Sequence, residues 1–246
     1  VKTREAKPEA EGIGRHIAEL VPDGATIQIG YGALPDAITR YLENHRDLGI
    51  HTEVFGDGLV RLIERGVANG LKKTLHPRKH VFTFVMGSRE TYEFANDNPS
   101  LESYCGSYNN DPDVIARNDN MMSINSIIEV DLLGQCNAEY MAGSQFSGTG
   151  GQLDFVRGAF NSRGGKSMLA FYSTAKGGSV SRVVPRLSTG TIVTTPRMDT
   201  HYLVTEYGAV NLKGKTCRQR ALDIIGIAHP RFRDDLLKEA EEMYII

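Results

Sequence analysis

The sequence predicts an α/β fold with a mixed, largely parallel sheet flanked by helices, because three features of the chain agree. Short apolar runs that end at glycine alternate with segments of helical spacing through the first half. Apolar runs then cluster, and two helix-like segments close the chain. The 26 glycines supply the many tight turns that such a fold requires. No linker or internal repeat forces a division of the 246 residues into two domains.

The expected elements follow in chain order from apolar spacing and turn residues. Ile13, Ile17 and Leu20 share one face of the first helix, and Pro35 suits the first position of the second. Ser88 is placed to cap the fourth helix, and Leu153, Val156 and Phe160 are expected to face inward on the fifth. The expected helices are 9–20, 35–42, 59–66, 89–95, 152–163, 216–228 and 232–244. The expected strands are 25–29, 50–55, 80–86, 121–132, 135–140, 167–172, 180–184, 191–194 and 202–205. Residues 96–119 are expected to form a long loop broken by one helical turn.

Composition excludes several classes of function. The net charge is −2 and no long basic run is present, which argues against nucleic-acid or anionic-membrane partners. No apolar stretch approaches the ~20 residues that span a bilayer, and no signal peptide is visible. The three cysteines are odd in number and far apart, so we expect a reducing, cytoplasmic location. The seven histidines lack the i, i+4 spacing of a helical zinc site.

Glu53 is the first candidate functional residue. It lies near the carboxyl end of the strand at 50–55, just before Gly56 and Gly58 turn the chain into a helix. Ligands of α/β sheets bind in the crevice outside such strand ends. A carboxylate there can act as a general base, a hydrogen-bond anchor or a nucleophile that forms an acyl-anhydride. The alternative is a solvated glutamate at the edge of the sheet.

Two glycine-rich turns are candidates for binding anions or oxyanions. The stretches 30–35 and 148–151 can each present main-chain N–H groups at the start of a helix. Pro35 replaces the third glycine of a dinucleotide fingerprint, and Gln152-Leu153 replaces the Lys-Ser/Thr of a P-loop. For each turn a purely structural role remains the alternative.

The remaining polar candidates each have a structural alternative. Asn110 lies in an Asn-Asn-Asp-Pro turn, where its amide can also orient a carboxylate or carbonyl. Lys176, beside two glycines, is either solvated or paired with a phosphate. Glu129, Asp131 and Glu139 form an acidic set that would suit catalysis or magnesium. We favour a structural role for this set, because Glu129 and Asp131 lie within an apolar run and must be satisfied locally.

Several motifs occur in an order that is typical of one family. They are Thr52-Glu53-Val54, Asp57-Gly58, Asn125-Ser126, Glu129-Val130-Asp131-Leu132, Gly134-Gln135, Gly148-Thr149-Gly150-Gly151, Asp154-Phe155, Gly164-Gly165-Lys166, Ser173-Thr174-Ala175 and Val204-Thr205-Glu206-Tyr207-Gly208. Through these motifs, almost the whole chain resembles the C-terminal half of proteins of the acetyl-CoA hydrolase/transferase family. Within that family the resemblance is strongest to the 4-hydroxybutyrate CoA-transferases.

The resemblance implies ping-pong chemistry through Glu53, which would form an acyl-anhydride and then a glutamyl-CoA thioester. Coenzyme A and a short-chain carboxylate would be substrates, with no permanently bound cofactor and no metal. The resemblance assigns Asn110 to orienting the substrate. It assigns the CoA and oxyanion contacts to Gly30, Tyr31, Gly32, Ala33, Leu34, Gly150, Gly151 and Lys176.

Family members carry a further α/β domain ahead of this one. We therefore expect 1–246 to be the C-terminal catalytic domain, with weak or no activity alone. The alternatives are an acyl-CoA hydrolase and a non-catalytic CoA-binding fragment; a nicotinamide oxidoreductase is disfavoured by Pro35. A homodimer is the default expectation for assembly.

Overall fold

The structure, a computed structural model, describes residues 6–141 and 143–246. The helices, in chain order, are α1 (Ala10–Leu20), α2 (Ala33–Thr39), α3 (Asp57–Glu64), α4 (Arg89–Ala95), α5 (Gly106–Asn109), α6 (Pro112–Ile115), α7 (Gln152–Asn161), α8 (Cys217–Gly226) and α9 (Arg233–Glu242). Single 3₁₀ turns lie at Arg40–Leu42, Lys176–Gly178 and Pro230–Phe232. The strands are β1 (Thr26–Ile29), β2 (Gly49–Phe55), β3 (His80–Val85), β4 (Leu101–Ser103), β5 (Met121–Ser126), β6 (Glu129–Asp131), β7 (Cys136–Asn137), β8 (Tyr140–Met141), β9 (Ser144–Gln145), β10 (Lys166–Ala170), β11 (Thr174–Ala175), β12 (Val180–Ser181), β13 (Val183–Val184), β14 (Tyr202–Thr205) and β15 (Gly208–Asn211).

An eight-stranded sheet forms the centre of the fold, in the order β15-β14-β10-β5-β1-β2-β3-β4. All neighbouring strands run parallel except β14 and β15, which form an antiparallel hairpin. The predicted fold class, a mixed and largely parallel sheet with flanking helices, is therefore confirmed. The strand order reverses between β5 and β1, and such a switch point opens a crevice at the carboxyl ends of the strands.

Strand register decides which side chains share a face of this sheet. Ile27 pairs with Ile50, and both lie in the large apolar core that includes Ile13, Ile17 and Ile38 from α1 and α2. Because side chains alternate along a strand, Gln28, Gly30, His51, Glu53 and Asn125 belong to the opposite face. That face packs against α7, whose Phe155 and Ala159 join a small core with Ile115 and Met121.

Two predicted strands are wrong. The run 121–132 does not form one strand: β5 ends at Ser126, and β6 pairs with β7 and β13 in a separate three-stranded sheet. The segment 191–194 contains no strand, and only the neighbouring Thr195 makes an isolated bridge, to Cys136. Apolar composition alone does not reveal where a chain leaves a sheet, because pairing partners decide it.

Smaller differences concern loops, caps and helix faces. The long loop 96–119 contains the short strand β4 and two helical turns, α5 and α6, instead of one turn. The predicted strands 135–140 and 180–184 are each split in two. Pro35 is the third residue of α2, and Ser88 occupies the N-cap of α4 without a side-chain capping bond. On α7, Val156 is buried as predicted, but Phe155 faces the core while Phe160 is 43% exposed and Leu153 is half-buried.

Two observations bear on the environment of the chain. Cys105, Cys136 and Cys217 are all unpaired thiols. Among the helices that the structure describes, none is long and apolar enough to cross a membrane.

Candidate active site

Glu53 is held by one hydrogen bond to each of its carboxylate oxygens. Nδ2 of Asn110 donates to Oε1 at 3.0 Å, and the main-chain N–H of Gly151 donates to Oε2 at 3.1 Å. The side chain is half-buried at the carboxyl end of β2. The alternative of a freely solvated edge glutamate is therefore wrong, because both oxygens are oriented by the protein.

Asn110 lies in the predicted turn, and its side-chain amide donates to Glu53. It follows α5, and its main-chain N–H donates to the carbonyl of Gly106 at 3.0 Å. The next residue, Asp111, caps α6 by accepting from the N–H of Asp113 at 2.8 Å, with Pro112 at the first helical position. This turn fixes the main chain of Asn110, so its amide projects toward Glu53.

Gly151 is the N-cap of α7, and its position requires the absence of a side chain. A Cβ there would lie 2.5 Å from Nδ2 of Asn110 and 2.8 Å from Oε2 of Glu53. A Cβ at Gly150 would lie 3.7 Å from the same glutamate oxygen, an ordinary contact distance. The start of a ten-residue helix also carries partial positive charge, which favours an anion such as the Glu53 carboxylate.

The first glycine turn lies beside Glu53, on the neighbouring strand β1. Gly30 donates its N–H to the carbonyl of Ile124 at 2.8 Å, and a Cβ there would lie 2.7 Å from Oδ1 of Asn125. Tyr31 is 51% exposed, Gly32 is the N-cap of α2, and Ala33 opens that helix. The side chain of Leu34 is buried in the apolar core, so only its main chain is available for a ligand.

Two cavities border this turn. One, of about 50 Å³, is lined by Gly30, Tyr31 and Gly32 together with Val54 and Asp57. The other cavity is larger. It shares Gly30, Tyr31 and Gly32 with the first and is also lined by Ala33, Asn125, Phe146 and Gln152, the first residue of α7. The second cavity occupies the switch point between β5 and β1, where ligands of this fold class bind.

Lys176 lies on the turn of a two-stranded sheet that is separate from the main sheet. It is exposed on the 3₁₀ turn between β11 and β12, with a φ of +48°. Its carbonyl accepts hydrogen bonds from Ser179, and no described contact joins it to Glu53, Asn110 or Gly151. The structure thus brings together Glu53, Asn110, Gly150 and Gly151, with the 30–34 turn alongside.

Asp154 is a second carboxylate near Glu53; the sequence analysis named it within a family motif but assigned it no role. It lies in the first turn of α7, three residues after Gly151. Burial, and then the negative charge of Glu53, raise the pKa of Asp154 above its usual range. Its place beside a nucleophile candidate is decided by the docking of α7 on the sheet, which local sequence does not show.

Buried polar side chains form a hydrogen-bonded group on the same face of the sheet as Glu53. Gln28 and Asn125 form a reciprocal amide pair, with N–O distances of 2.9 and 3.0 Å, and Ser123 donates to Oε1 of Gln28 at 2.7 Å. His51, two residues before Glu53, bonds through Nε2 to the carbonyl of Asn109 at 2.8 Å. Burial lowers the pKa of His51 to about 4, so this imidazole is neutral near pH 7.

The acidic set 129, 131 and 139 makes local hydrogen bonds. Buried Asp131 accepts from the N–H groups of Leu133 and Gln135 at 3.0 and 2.9 Å, and from the side chain of Gln135. Glu129 accepts from Asn137 at 3.0 Å. Across 6–141 and 143–246, no three His, Cys, Asp or Glu side chains are grouped so as to hold a metal ion.

Glu139 supports the second glycine turn, a role that the sequence did not suggest. Its Oε1 accepts from the hydroxyl of Thr149 at 2.8 Å, and its carbonyl accepts from the N–H of Phe146 at 2.7 Å. Glu139 therefore holds the segment 146–149 by hydrogen bonds, and this segment leads directly to Gly150 and Gly151 beside Glu53.

Comparison with known proteins agrees with these features. The model of the acetyl-CoA hydrolase/transferase C-terminal domain matches residues 87–240. The chain is 51% identical over 234 residues to the 4-hydroxybutyrate coenzyme A transferase of Clostridium kluyveri, covering 95% of the chain and 54% of that protein. It is 48% identical over 236 residues to the succinyl-CoA:cyclohexane-1-carboxylate CoA transferase of Geobacter metallireducens, covering 96% and 54%.

Solved structures give the same result. The crystal structure of RipA from Yersinia pestis matches with a TM-score of 0.96 and 54% identity, over 100% of this chain and 56% of that one. The chain spans about half the length of the curated relatives it matches. It belongs to the acetyl-CoA hydrolase/transferase family, of which it represents the C-terminal half.

Proposed function

We propose that the chain is the C-terminal catalytic domain of a CoA-transferase that moves coenzyme A between a short-chain acyl-CoA and a carboxylate, with Glu53 as the nucleophile. The observation that carries the proposal is the pair of donors on Glu53, one from Asn110 and one from Gly151. A carboxylate with each oxygen fixed is oriented for attack, and the same two donors suit the oxyanions that follow.

The proposed reaction needs only carboxylates and thiolates. Glu53 attacks the thioester carbonyl: an O–C bond forms, the C–S bond breaks, and an acyl-glutamyl anhydride and CoA thiolate result. The thiolate then attacks the glutamyl carbon, giving a Glu53–CoA thioester and the first carboxylate. The acceptor carboxylate reverses these two steps and leaves as the new acyl-CoA. No net proton transfer occurs, so no acid or base is required.

Charge builds on the former carboxylate oxygens of Glu53 whenever its carbon becomes tetrahedral. The N–H groups of Asn110 and Gly151 lie at those oxygens in the resting structure. Removing a preorganised donor of this kind typically costs ~10²–10³ in rate. We assign both groups to stabilising these intermediates.

Coenzyme A is proposed as a substrate, with no permanently bound cofactor. Gly30, Tyr31, Gly32 and Ala33 line the cavity at the switch point. The 30–34 turn is proposed to contact CoA through Gly30, Tyr31, Gly32 and the main chain of Ala33 and Leu34. Lys176, exposed and cationic, is proposed to meet a CoA phosphate. A homodimer and a cytoplasmic location complete the proposal.

Mass spectrometry of the full-length protein after incubation with butyryl-CoA tests the assignment. We expect a CoA-sized adduct on the peptide that holds Glu53, cleaved by borohydride or hydroxylamine and absent from Glu53→Ala. The exposed Glu93 on α4 offers a matched control, and Glu93→Ala should keep the adduct. A folded protein that binds CoA but forms no adduct would overturn the proposal. The 246-residue chain, measured in parallel, shows whether this domain alone forms the adduct.

Product analysis separates transfer from hydrolysis. With 4-hydroxybutyrate or acetate as acceptor, a transferase consumes butyryl-CoA only when the acceptor is present and returns an equal amount of new acyl-CoA. Release of free CoA without an acceptor would identify a hydrolase instead.

A further inference from the structure

The side-chain amide of Asn110 has to face Glu53 in one particular orientation. Its Nδ2 lies 3.0 Å from Oε1 of Glu53, so a donor meets an acceptor. The reversed amide would place its oxygen against a carboxylate oxygen, so that two acceptors would face each other. Because the two orientations of an amide have nearly the same shape, the surrounding hydrogen bonds must decide between them.

The hydroxyl of Thr83, on β3, holds the other end of this amide, with its oxygen 3.2 Å from Oδ1 of Asn110. Nδ2 of Asn109 donates to Oγ1 of Thr83 at 2.9 Å. The Thr83 hydroxyl accepts in that bond, which leaves its own proton directed at Asn110.

The direction of these bonds is set by the main chain of β2. Nδ2 of Asn109 lies 2.7 Å from the carbonyl oxygen of Thr52, the residue before Glu53. A carbonyl oxygen can only accept, so Asn109 must present its amino group there. Asn109 is fully buried, and its carbonyl is held by Nε2 of His51 at 2.8 Å, which restricts the residue further.

We propose that Thr83 and Asn109 are positioning residues for the reaction at Glu53. With the carbonyl of Thr52 they form an ordered series of hydrogen bonds, Thr52–Asn109–Thr83–Asn110, which we call the amide relay. The relay locks the amino group of Asn110 onto Glu53, although neither Thr83 nor Asn109 contacts the carboxylate. This inference rests on the proposed function, since it assigns the relay to the nucleophile of that reaction.

Thr83→Val tests the relay, because valine has nearly the shape of threonine and lacks the hydroxyl. Thr83→Ser keeps the hydroxyl. Ser103→Ala is a matched control, since the Ser103 hydroxyl bonds the main-chain carbonyl of Thr83 at 3.1 Å and lies outside the relay. Two quantities are measured in the full-length protein: the rate of thioester formation on Glu53 with butyryl-CoA, and the ¹⁵N–¹H resonances of the Asn110 side chain.

We expect Thr83→Val to lower that rate about 10- to 100-fold, the range for losing a hydrogen bond that orients a charged group. The KM for butyryl-CoA should stay within about twofold, because Thr83 does not touch the substrate. The Asn110 resonances should shift or broaden. Thr83→Ser and Ser103→Ala should stay within about threefold of the parent rate.

Three results would overturn the relay: a Thr83→Val rate equal to the parent, equal losses in Thr83→Val and Thr83→Ser, or a slower reaction with unchanged Asn110 resonances. If Thr83→Val does not fold, Thr83→Ala is measured in the same way. If the parent protein forms no thioester, the proposed function fails first. A parent that reacts normally, together with an unaffected Thr83→Val, rejects the relay alone.

Discussion

The main-chain N–H of Gly151 donates a 3.1 Å hydrogen bond to Oε2 of Glu53, across a sequence separation of 98 residues. The bond joins the start of α7 to the end of β2 and places a helix N-terminus against the carboxylate. Because the donor is main chain, its direction depends on the path of the backbone rather than on a side-chain rotamer. The close approach is possible only without a Cβ at residue 151.

Gly151→Ala should therefore abolish most activity, whereas Gly150→Ala should be mild. A Cβ at 151 would lie 2.5 Å from Nδ2 of Asn110, while a Cβ at 150 would meet Oε2 of Glu53 at 3.7 Å. We expect a loss of ~10²–10³ in kcat for Gly151→Ala, as for loss of an oxyanion donor. For Gly150→Ala we expect less than about tenfold. Steady-state kinetics of CoA transfer measure kcat for both variants. Equal losses in kcat would contradict this account of Gly151.

Asp131→Ala should destabilise the fold without altering the chemistry. The buried carboxylate accepts two main-chain N–H bonds and one from the Gln135 side chain, and all three donors would lose their partner. We expect a loss of about 3 kcal/mol in the free energy of unfolding, measured by urea denaturation. Thioester formation on Glu53 per folded molecule should be unchanged, with or without EDTA. A large loss of activity at unchanged stability would instead restore a catalytic or metal role.

Buried His51 should make the protein less stable as the pH falls from about 6.5 toward 4. Burial lowers its pKa from 6.5 to about 4, so between these values the unfolded chain binds a proton that the folded chain does not. Stability then rises with pH across this window, by up to about 3 kcal/mol from this residue.

Urea denaturation at several pH values, compared with His51→Leu, isolates this contribution from that of the carboxylates. The variant will be less stable at pH 7 because Asn109 loses its partner, but its pH slope between 6.5 and 4 should be shallower. Parallel slopes for the two proteins would show that His51 is not buried in its neutral form.

The face that α7 turns to the sheet can be tested with two phenylalanines on the same helix. Phe155 is fully buried, and its ring centroid lies 6.2 Å from that of His51. Phe160 is 43% exposed and contacts Lys213. Phe155→Ala should cost about 3–5 kcal/mol of stability. Phe160→Ala should cost about 1 kcal/mol or less, the value of an exposed cation–π contact. Thermal and urea unfolding measure both, and the reverse order would mean that α7 docks through its other face.

Local pattern determined much of the architecture. Alternation of apolar runs and helical spacing predicted the sheet class, and the glycines after Phe55 placed Glu53 at the end of a strand. These features depend on neighbours within a few residues, which is the range over which periodicity and turn residues act. Within the acidic set, Asp131 is satisfied locally as expected, because its partners lie within four residues.

The same local signals gave wrong predictions where the pairing or burial of a segment depends on residues far away in the sequence. The run 121–132 is apolar throughout, so nothing within it shows that the chain leaves the main sheet after Ser126 and that β6 pairs with β13 instead. The choice between Phe155 and Phe160 as the buried ring of α7 likewise depends on how that helix docks. Residue pattern proposed Asn110 and the glycine turns only as candidates, and the family resemblance linked them to Glu53.

By itself, then, the sequence determined the fold class, the position of Glu53 at a strand end and membership of a family. Only the tertiary structure decided that Asn110 and Gly151 each hold one oxygen of Glu53, that Leu34 is core, and that Lys176 lies on the turn between β11 and β12. It alone revealed Asp154, Thr83 and Asn109 around the nucleophile. The physical reason is that hydrogen bonds between elements depend on strand register and helix docking, which arise from packing over the whole chain and leave no trace in the residues on either side.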